Sequence, residues 1–316
     1  MTADRVVSII IPTLATAERS KYLLRAIESA LSQQGVQAIP IVIANGGHGD
    51  AGLLDHLRQR RDIRYARLEQ ASQPMAMKAG RDMVDTPFFS ILDDDDLLLP
   101  HAMSTRLGGM QSGPEIDVVV TNGIISNRWI ETVNITDFSG ILVDPLRKLQ
   151  EKNWMLTGSG LFRTATMSRE FFGDMPQYLE WTYLAMRISL EKRKILFINN
   201  PSVVHFLDHD FSIYRSKQAV FGQPRAIERI LELDLPRDVR VNFEIRLADA
   251  NNEASKLYLR GCNFPSALSS HIKTVRCRSG WRHLFYIKDF RKKGLAFFRK
   301  YSSAVTREIA ETLQDK

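Results

Sequence analysis

The chemistry in this sequence is concentrated in a run of four aspartates, Asp93-Asp94-Asp95-Asp96. Adjacent carboxylates repel one another, so a folded chain must leave them in water or neutralise them. A solvated acidic turn is the ordinary outcome for an acidic run. Here Phe88-Phe89-Ser90-Ile91-Leu92 precedes it and Leu97-Leu98-Leu99-Pro100 follows, and an idle charge cluster between core-forming stretches is costly. A divalent cation resolves the conflict, because magnesium and manganese favour hard oxygen ligands and bind through one or two carboxylates plus the phosphates of a substrate. Alternate residues of an extended stretch face the same way. Asp93 and Asp95 are therefore expected toward a crevice, with Asp94 and Asp96 elsewhere or against a sugar and its ribose. Further along, Glu180 opens a helical pattern beside Trp181, and His205 and His209 follow an apolar run. Thr157-Gly158-Ser159-Gly160 offers glycines that let a ligand come close. It is not a phosphate-cradling loop, since no lysine follows it.

The elements that must position these groups alternate between short apolar runs and helical patterns, which is how a parallel sheet built from crossover units reads. Strands are expected at Val6 to Ile11, Ile39 to Ala44, Ile63 to Ala66 and Phe88 to Leu92. Helices are expected between them at Lys21 to Gln34, Gly49 to Arg60 and Pro74 to Val84. In open parallel sheets the ligand crevice lies outside the carboxyl ends of the strands. Pro12-Thr13, Asn45-Gly46 and the four aspartates should thus converge on one edge. Beyond these come a strand at Val118 to Thr121, an extended segment at Trp154 to Phe162, a helix at Tyr178 to Lys192 and a strand at Ile195 to Ile198. Helical patterns dominate after about Ser216. The expected division is a ligand-binding α/β domain over 1–216 and a helical, basic region over 217–316.

At this point the sequence resembles the inverting family 2 glycosyltransferases, whose GT-A fold is a mostly parallel, Rossmann-like α/β sheet flanked by helices. The resemblance covers roughly residues 5 to 216. It rests on Ile91-Leu92-Asp93-Asp94-Asp95-Asp96-Leu97-Leu98-Leu99-Pro100, an apolar strand, a carboxylate cluster containing Asp-x-Asp and a proline four residues on, together with the opening Val7-Ser8-Ile9-Ile10-Ile11-Pro12-Thr13. It implies that Pro12, Thr13 and Arg19 help hold the nucleotide, that Asp95 is the foremost metal ligand, and that Asp93 and Asp94 lie close to the donor. Lys78 stands near a position where the family places a polar or basic residue beside the nucleotide; a plain surface lysine is the other reading. Asn45 occupies a place where the family usually has an aspartate that reads the base. A histidine-to-serine stretch that closes the family's catalytic domain near the diphosphate or metal matches Asp208-His209-Asp210-Phe211-Ser212, which makes His209 a further metal candidate ahead of His205. The family's general base comes from a Glu-Asp pair at a helix start; here Glu180 is in register and Trp181 replaces the aspartate, with Asp174 in reserve. A glutamate at a helix start also suits the helix dipole.

The implied activity is transfer of a sugar from a nucleoside-diphosphate sugar to a glycan or lipid-linked acceptor in polysaccharide biosynthesis, assisted by manganese or magnesium. Two readings compete with it. One is a glycosyltransferase-like scaffold that has lost its base, favoured by Trp181. The other is a nucleotidyltransferase, disfavoured because no glycine-rich basic loop follows the first strand. With 316 residues, 44% hydrophobic and 25% charged, the chain is an ordinary globular protein. Neither a transmembrane helix nor a secretory signal is readable, so the expected place of work is the cytoplasm. Two cysteines exclude a disulfide scaffold. The net charge of +7 is gathered toward Lys273 to Lys300, where basic and aromatic residues interleave. That composition suits an anionic membrane or a phosphorylated polymer, and equally a packed helix with a solvated basic face. No recognition motif supports nucleic-acid binding.

Overall fold

The computed structural model describes residues 5–127, 129–207 and 216–286. The chain forms two compact units, Met1–Ser212 and Ile213–Lys316. In the first, β1 (Val6–Thr13) is almost continuously apolar and buried, as a strand covered on both faces must be. It pairs in parallel with β2 (Gln37–Asn45) on one flank and β4 (Phe88–Ile91) on the other, and β2 pairs in parallel with β3 (Arg64–Leu68). The crossovers run through α1 (Ser20–Leu31), α2 (Ala51–Gln59) and α3 (Gln73–Asp82). Side chains of Asp50 and Ser72 cap α2 and α3 by accepting from backbone N–H groups, which satisfies donors that the first turn leaves open.

The sheet has nine strands among the described residues: with β5 (Leu97–Leu98), β6 (Val118–Ser126), β7 (Glu131–Val133), β8 (Gly160–Arg163) and β9 (Ile195–Phe206) added, the order is β3-β2-β1-β4-β8-β6-β9-β5 with β7 beside β6. Between β5 and β6 the chain adds α4 (Ala102–Gln111). Among the later strands come α5 (Ser139–Val143), α6 (Pro145–Lys148) and α7 (Glu180–Leu190). This half is mixed: β8 is antiparallel to β4 and β6, whereas β9 is parallel to β6. The fold departs from the sequence reading at β9, which does not stop at Ile198. Its register against β6 slips after Thr121↔Ile198 to Asn122↔Pro201 and recovers to end at Ser126↔Phe206. A bulge absorbs residues that read as a break.

In the second unit α8 (Lys217–Leu231), α9 (Arg237–Arg260) and α10 (Phe264–Arg276) are followed by a 3-10 turn over Gly280–Tyr286. Phe221 of α8 stacks on Tyr258 of α9 with ring centroids 4.2 Å apart. No helix among the described residues is long and apolar enough to cross a membrane.

Candidate active site

From β1 the chain goes to β2 on one side and returns, by way of β3, to β4 on the other, so the carboxyl ends of β1 and β4 form a topological switch point. The Leu92 N–H donates to the Ile10 carbonyl at 2.9 Å and prolongs this pairing to the threshold of Asp93. Thr13 and the aspartates are thereby delivered to one place.

Asp94 is buried and locked. Its Oδ2 accepts from the Thr13 hydroxyl at 2.5 Å, and its Oδ1 is ion-paired with the buried Arg19. Burial pushes the Asp94 carboxyl up to about 6, against the opposing pull of Arg19. The Arg19 guanidinium also stands 3.9 Å from Asp95 Oδ2. Thr13 accepts in turn from the Ala15 N–H at 2.9 Å, and Ala15, wholly buried, holds φ 49°. A non-glycine residue there costs about 1–3 kcal/mol and persists only where its surroundings dictate it.

The other aspartates are placed differently. Asp93, partly exposed, accepts from Gln73 Nε2 at 2.9 Å. Burial, then the charges of Asp96 and Asp95, hold its carboxyl well above the ordinary range. The backbone carbonyl of Asp95 accepts from Arg25 Nη2 at 2.8 Å, and Arg25 lies over the Phe206 ring at 4.3 Å. Asp96 is fully buried, 2.9 Å from His205 Nδ1, and accepts from the Phe206 N–H at 3.3 Å. Burial raises the Asp96 carboxyl to about 6 in spite of His205. For His205 burial works downward, but the charges of Asp96, Asp93 and Asp95 override it and raise the imidazole to about 9.

Asp93 and Asp95 are the more open pair and Asp94 and Asp96 the buried pair, yet not through an extended stretch. The run is a turn closed by the Asp96 N–H to the Asp93 carbonyl at 3.2 Å. One carboxylate oxygen each from Asp93, Asp95 and Asp96 lies within 4.8 Å of the others. Three converging carboxylates are the donor set a hard divalent cation takes, so the residues fit such an ion.

Asn45, at the end of β2, is buried between its neighbours. Its amide donates to the Thr13 carbonyl and its oxygen accepts from the Ser72 N–H, both at 2.9 Å. The Ser72 hydroxyl reaches Gln177 Oε1 at 3.4 Å, which ties the loop before α7 to the same edge. Three residues on, Glu180 begins α7 and is 5% exposed. Burial raises its carboxyl to about 7, although the backbone N–H groups of Glu180 and Tyr178 favour the charged form. The Tyr178 N–H donates to Glu180 Oε1 at 2.9 Å, and Tyr178 takes φ 80°, a second strained non-glycine residue, here against the Glu180 carboxyl.

The remaining residues singled out from sequence fall as follows. Pro12 is buried inside β1, opposite Ile43. Lys78 sits on the exposed side of α3 and pairs with Asp82 at 2.8 Å, while Ala76, Met77, Gly80 and Arg81 face inward. Asp174 is exposed and Trp181 is a core side chain. His209 lies outside the described residues. Gly158 and Gly160 do not open toward a ligand: a Cβ on Gly158 would meet Val203 Cγ2 at 2.7 Å, and one on Gly160 would meet the Phe162 ring at 2.9 Å. Sequence reasoning missed Gln73, Arg25 and above all the Asp96–His205 pair. The signal for that pair was Val203-Val204-His205, an apolar run continuing the strand beyond Pro201. It missed Arg106 too, a fully buried cation whose Nε and Nη2 donate to Thr121 and Ser202 at 2.9 and 2.7 Å and tie β6 to β9.

No curated protein sequence matches the chain. Residues 8–217 match the sequence profile of Glycosyl transferase family 2. The chain belongs to this glycosyltransferase family. Among solved structures, this glycosyltransferase is similar to Staphylococcus aureus TarS 1–349 in complex with UDP-GlcNAc, with TM-score 0.58 and 14% identity over 85% of this chain and 80% of that one. TarS 1–349 in complex with UDP gives TM-score 0.51 and 12% identity, over 85% and 90% of the two chains. The longer TarS gives TM-score 0.53 and 16% identity over 78% of this chain, which spans 43% of that one. The shared architecture is the GT-A fold, with the helices of the second unit following it.

Proposed function

We propose that this glycosyltransferase moves a hexose, with inversion, from a nucleoside-diphosphate sugar to a hydroxyl of a glycan or lipid-linked acceptor in polysaccharide biosynthesis. The observation that carries the reading is the convergence of Thr13, Arg19 and the aspartate turn at the β1–β4 switch point, joined through Asn45, Ser72 and Gln177 to the loop that presents Glu180. Donor binding is assigned to Thr13, Arg19, Asn45, Asp93 and Asp94, with Pro12 shaping the strand end. A manganese or magnesium ion at Asp93 and Asp95, beside Asp96, would neutralise charge on the departing diphosphate.

The chain's own residues account for the rest. Arg19 holds Asp94 in place and brings positive charge to the rim of the aspartate turn. Glu180, with a carboxyl near 7, is suited to take the acceptor's proton at neutral pH. As the acceptor oxygen bonds to the anomeric carbon, the bond from that carbon to the diphosphate oxygen breaks. The proton passes to Glu180 and the nucleoside diphosphate leaves. The scaffold reading has little to rest on, since Trp181 is a core residue and Glu180 keeps the environment of a base.

The test is incubation with manganese and a panel of nucleotide sugars, following slow hydrolysis of the donor. Turnover of one donor, abolished in Asp95→Asn, is expected. No turnover with any donor would sink the transferase assignment. A membrane-side location, where lipid-linked acceptors are built, is part of the proposal and leads to a specific surface.

A further inference from the structure

The second unit buries one side of α10 and leaves another apolar side open. Ala267, His271 and Thr274 are buried, with the Ser255 hydroxyl of α9 donating to the Ala267 carbonyl at 2.8 Å. One helical step from this buried stripe, Leu268 and Ile272 are exposed at i, i+4 spacing, and the 3-10 turn after the helix adds Trp281, 67% exposed, and Leu284. Single exposed leucines are ordinary. Four large exposed apolar side chains on one helix and on the turn packed against it are not, and apolar exposure concentrated in this way marks an interaction surface.

The charges nearby decide what it meets. Lys273, Arg276, Arg278 and Arg282 are all exposed along the same stretch. Arg278 and Arg282 approach Glu244 and Asp249 of α9 at 3.7 and 3.3 Å, whereas Lys273 and Arg276 flank Ile272 on α10 itself. The sequence continues with Lys288, Arg291, Lys292 and Lys293 among aromatic residues. An apolar ridge rimmed by positive charge is the composition of an element that lies in the interface of an anionic bilayer. A soluble polyanion would use the charges and ignore the ridge.

We infer that this side of α10 and the turn after it docks the protein on an anionic lipid bilayer. The biological purpose rests on the proposed transfer to a lipid-linked acceptor; the docking itself does not depend on donor chemistry.

The test uses the full chain and vesicles of equal phosphatidylglycerol and phosphatidylcholine, with pure phosphatidylcholine as reference, read by co-sedimentation at 0.1 M salt. The protein is expected to sediment with the anionic vesicles only. Lys273→Gln with Arg276→Gln should weaken partitioning about 30-fold, at roughly five-fold per charge. Leu268→Ser with Trp281→Ser should abolish it while thermal unfolding and nucleotide binding stay unchanged. Failure to sediment with anionic vesicles would overturn the inference. So would unchanged binding by the serine variant, or binding of soluble polyphosphate that is lost in the glutamine variant and kept in the serine variant. Donor hydrolysis by the same preparation without vesicles separates these outcomes from failure of the transferase assignment.

Discussion

Replacing Glu180 by Gln separates the two consequences of burying a carboxylate. The glutamine keeps an oxygen able to accept the Tyr178 N–H and cannot ionise. In the wild type, burial raises the carboxyl from 4.5 to about 7. A group whose folded pKa is raised stabilises the fold fully below its unfolded pKa and loses that contribution as pH climbs through the folded one. At 1.36 kcal/mol per unit the loss is about 3 kcal/mol, spread between pH 4.5 and 7. Stability of the variant minus that of the wild type, from urea unfolding of the first unit's transition at stepped pH, should therefore grow by about 3 kcal/mol across that window and then level off. The same substitution should lower transfer by about 10²–10⁴-fold and leave nucleoside-diphosphate affinity unchanged. A stability difference flat with pH would refute the burial argument, and full transfer activity in the variant would refute the role of Glu180.

Arg19→Ala leaves Asp94 buried without its cation, a loss of about 3–5 kcal/mol at neutral pH; without Arg19 the carboxyl takes its proton above the wild-type value of about 6, so the deficit should shrink as pH falls toward 6 and level off below it, and equal deficits at pH 5 and 8 would contradict the pairing. Gly158→Ala meets φ +71° and a contact of 2.7 Å with Val203, so strain and overpacking together should destabilise by about 2–4 kcal/mol in chemical denaturation. Because burial and the neighbouring carboxylates hold Asp93 protonated above its usual range, a cation must displace that proton. Manganese affinity, read by paramagnetic resonance, should accordingly rise with pH above the ordinary carboxylate range, and pH-independent affinity would count against the site.

Much of this organisation was legible in the sequence because it follows from periodicity. Val6–Thr13, Gln37–Asn45 and Phe88–Ile91 are short buried runs separated by amphipathic helices, and parallel sheets place the following loops on one edge. Thr13 and the aspartates met there for that reason. The roles within the cluster were less legible. Sequence reasoning puts Asp94 and Arg19 at the same site but does not pair them; the ion pair forms because a 3-10 turn over Ala17–Arg19 precedes α1 and returns Arg19 to the aspartate turn. The alternation of the run sets Asp96 apart from Asp93 and Asp95 without naming its partner; the pairing with His205 depends on β9 continuing through a bulge beyond Ile198, for which Val203-Val204-His205 is the one sequence signal. The sequence does not announce that Asn45 also ties β2 to β1 and to the loop of Ser72. The glycines at 158 and 160 were read as open to sugar, while the packing around them is hydrophobic. Sequence periodicity sets which loops converge, whereas partner choice within a crowded polar cluster depends on tertiary contacts.

The most direct test of the central claim is calorimetric titration with a panel of nucleoside diphosphates, with and without manganese, on the wild type and on Asp95→Asn. The account predicts one nucleotide that binds the wild type in a manganese-dependent way, with that dependence lost in the variant while its thermal unfolding is unchanged. Manganese-dependent binding that survives in Asp95→Asn, or no binding of any nucleotide to the wild type, would contradict it.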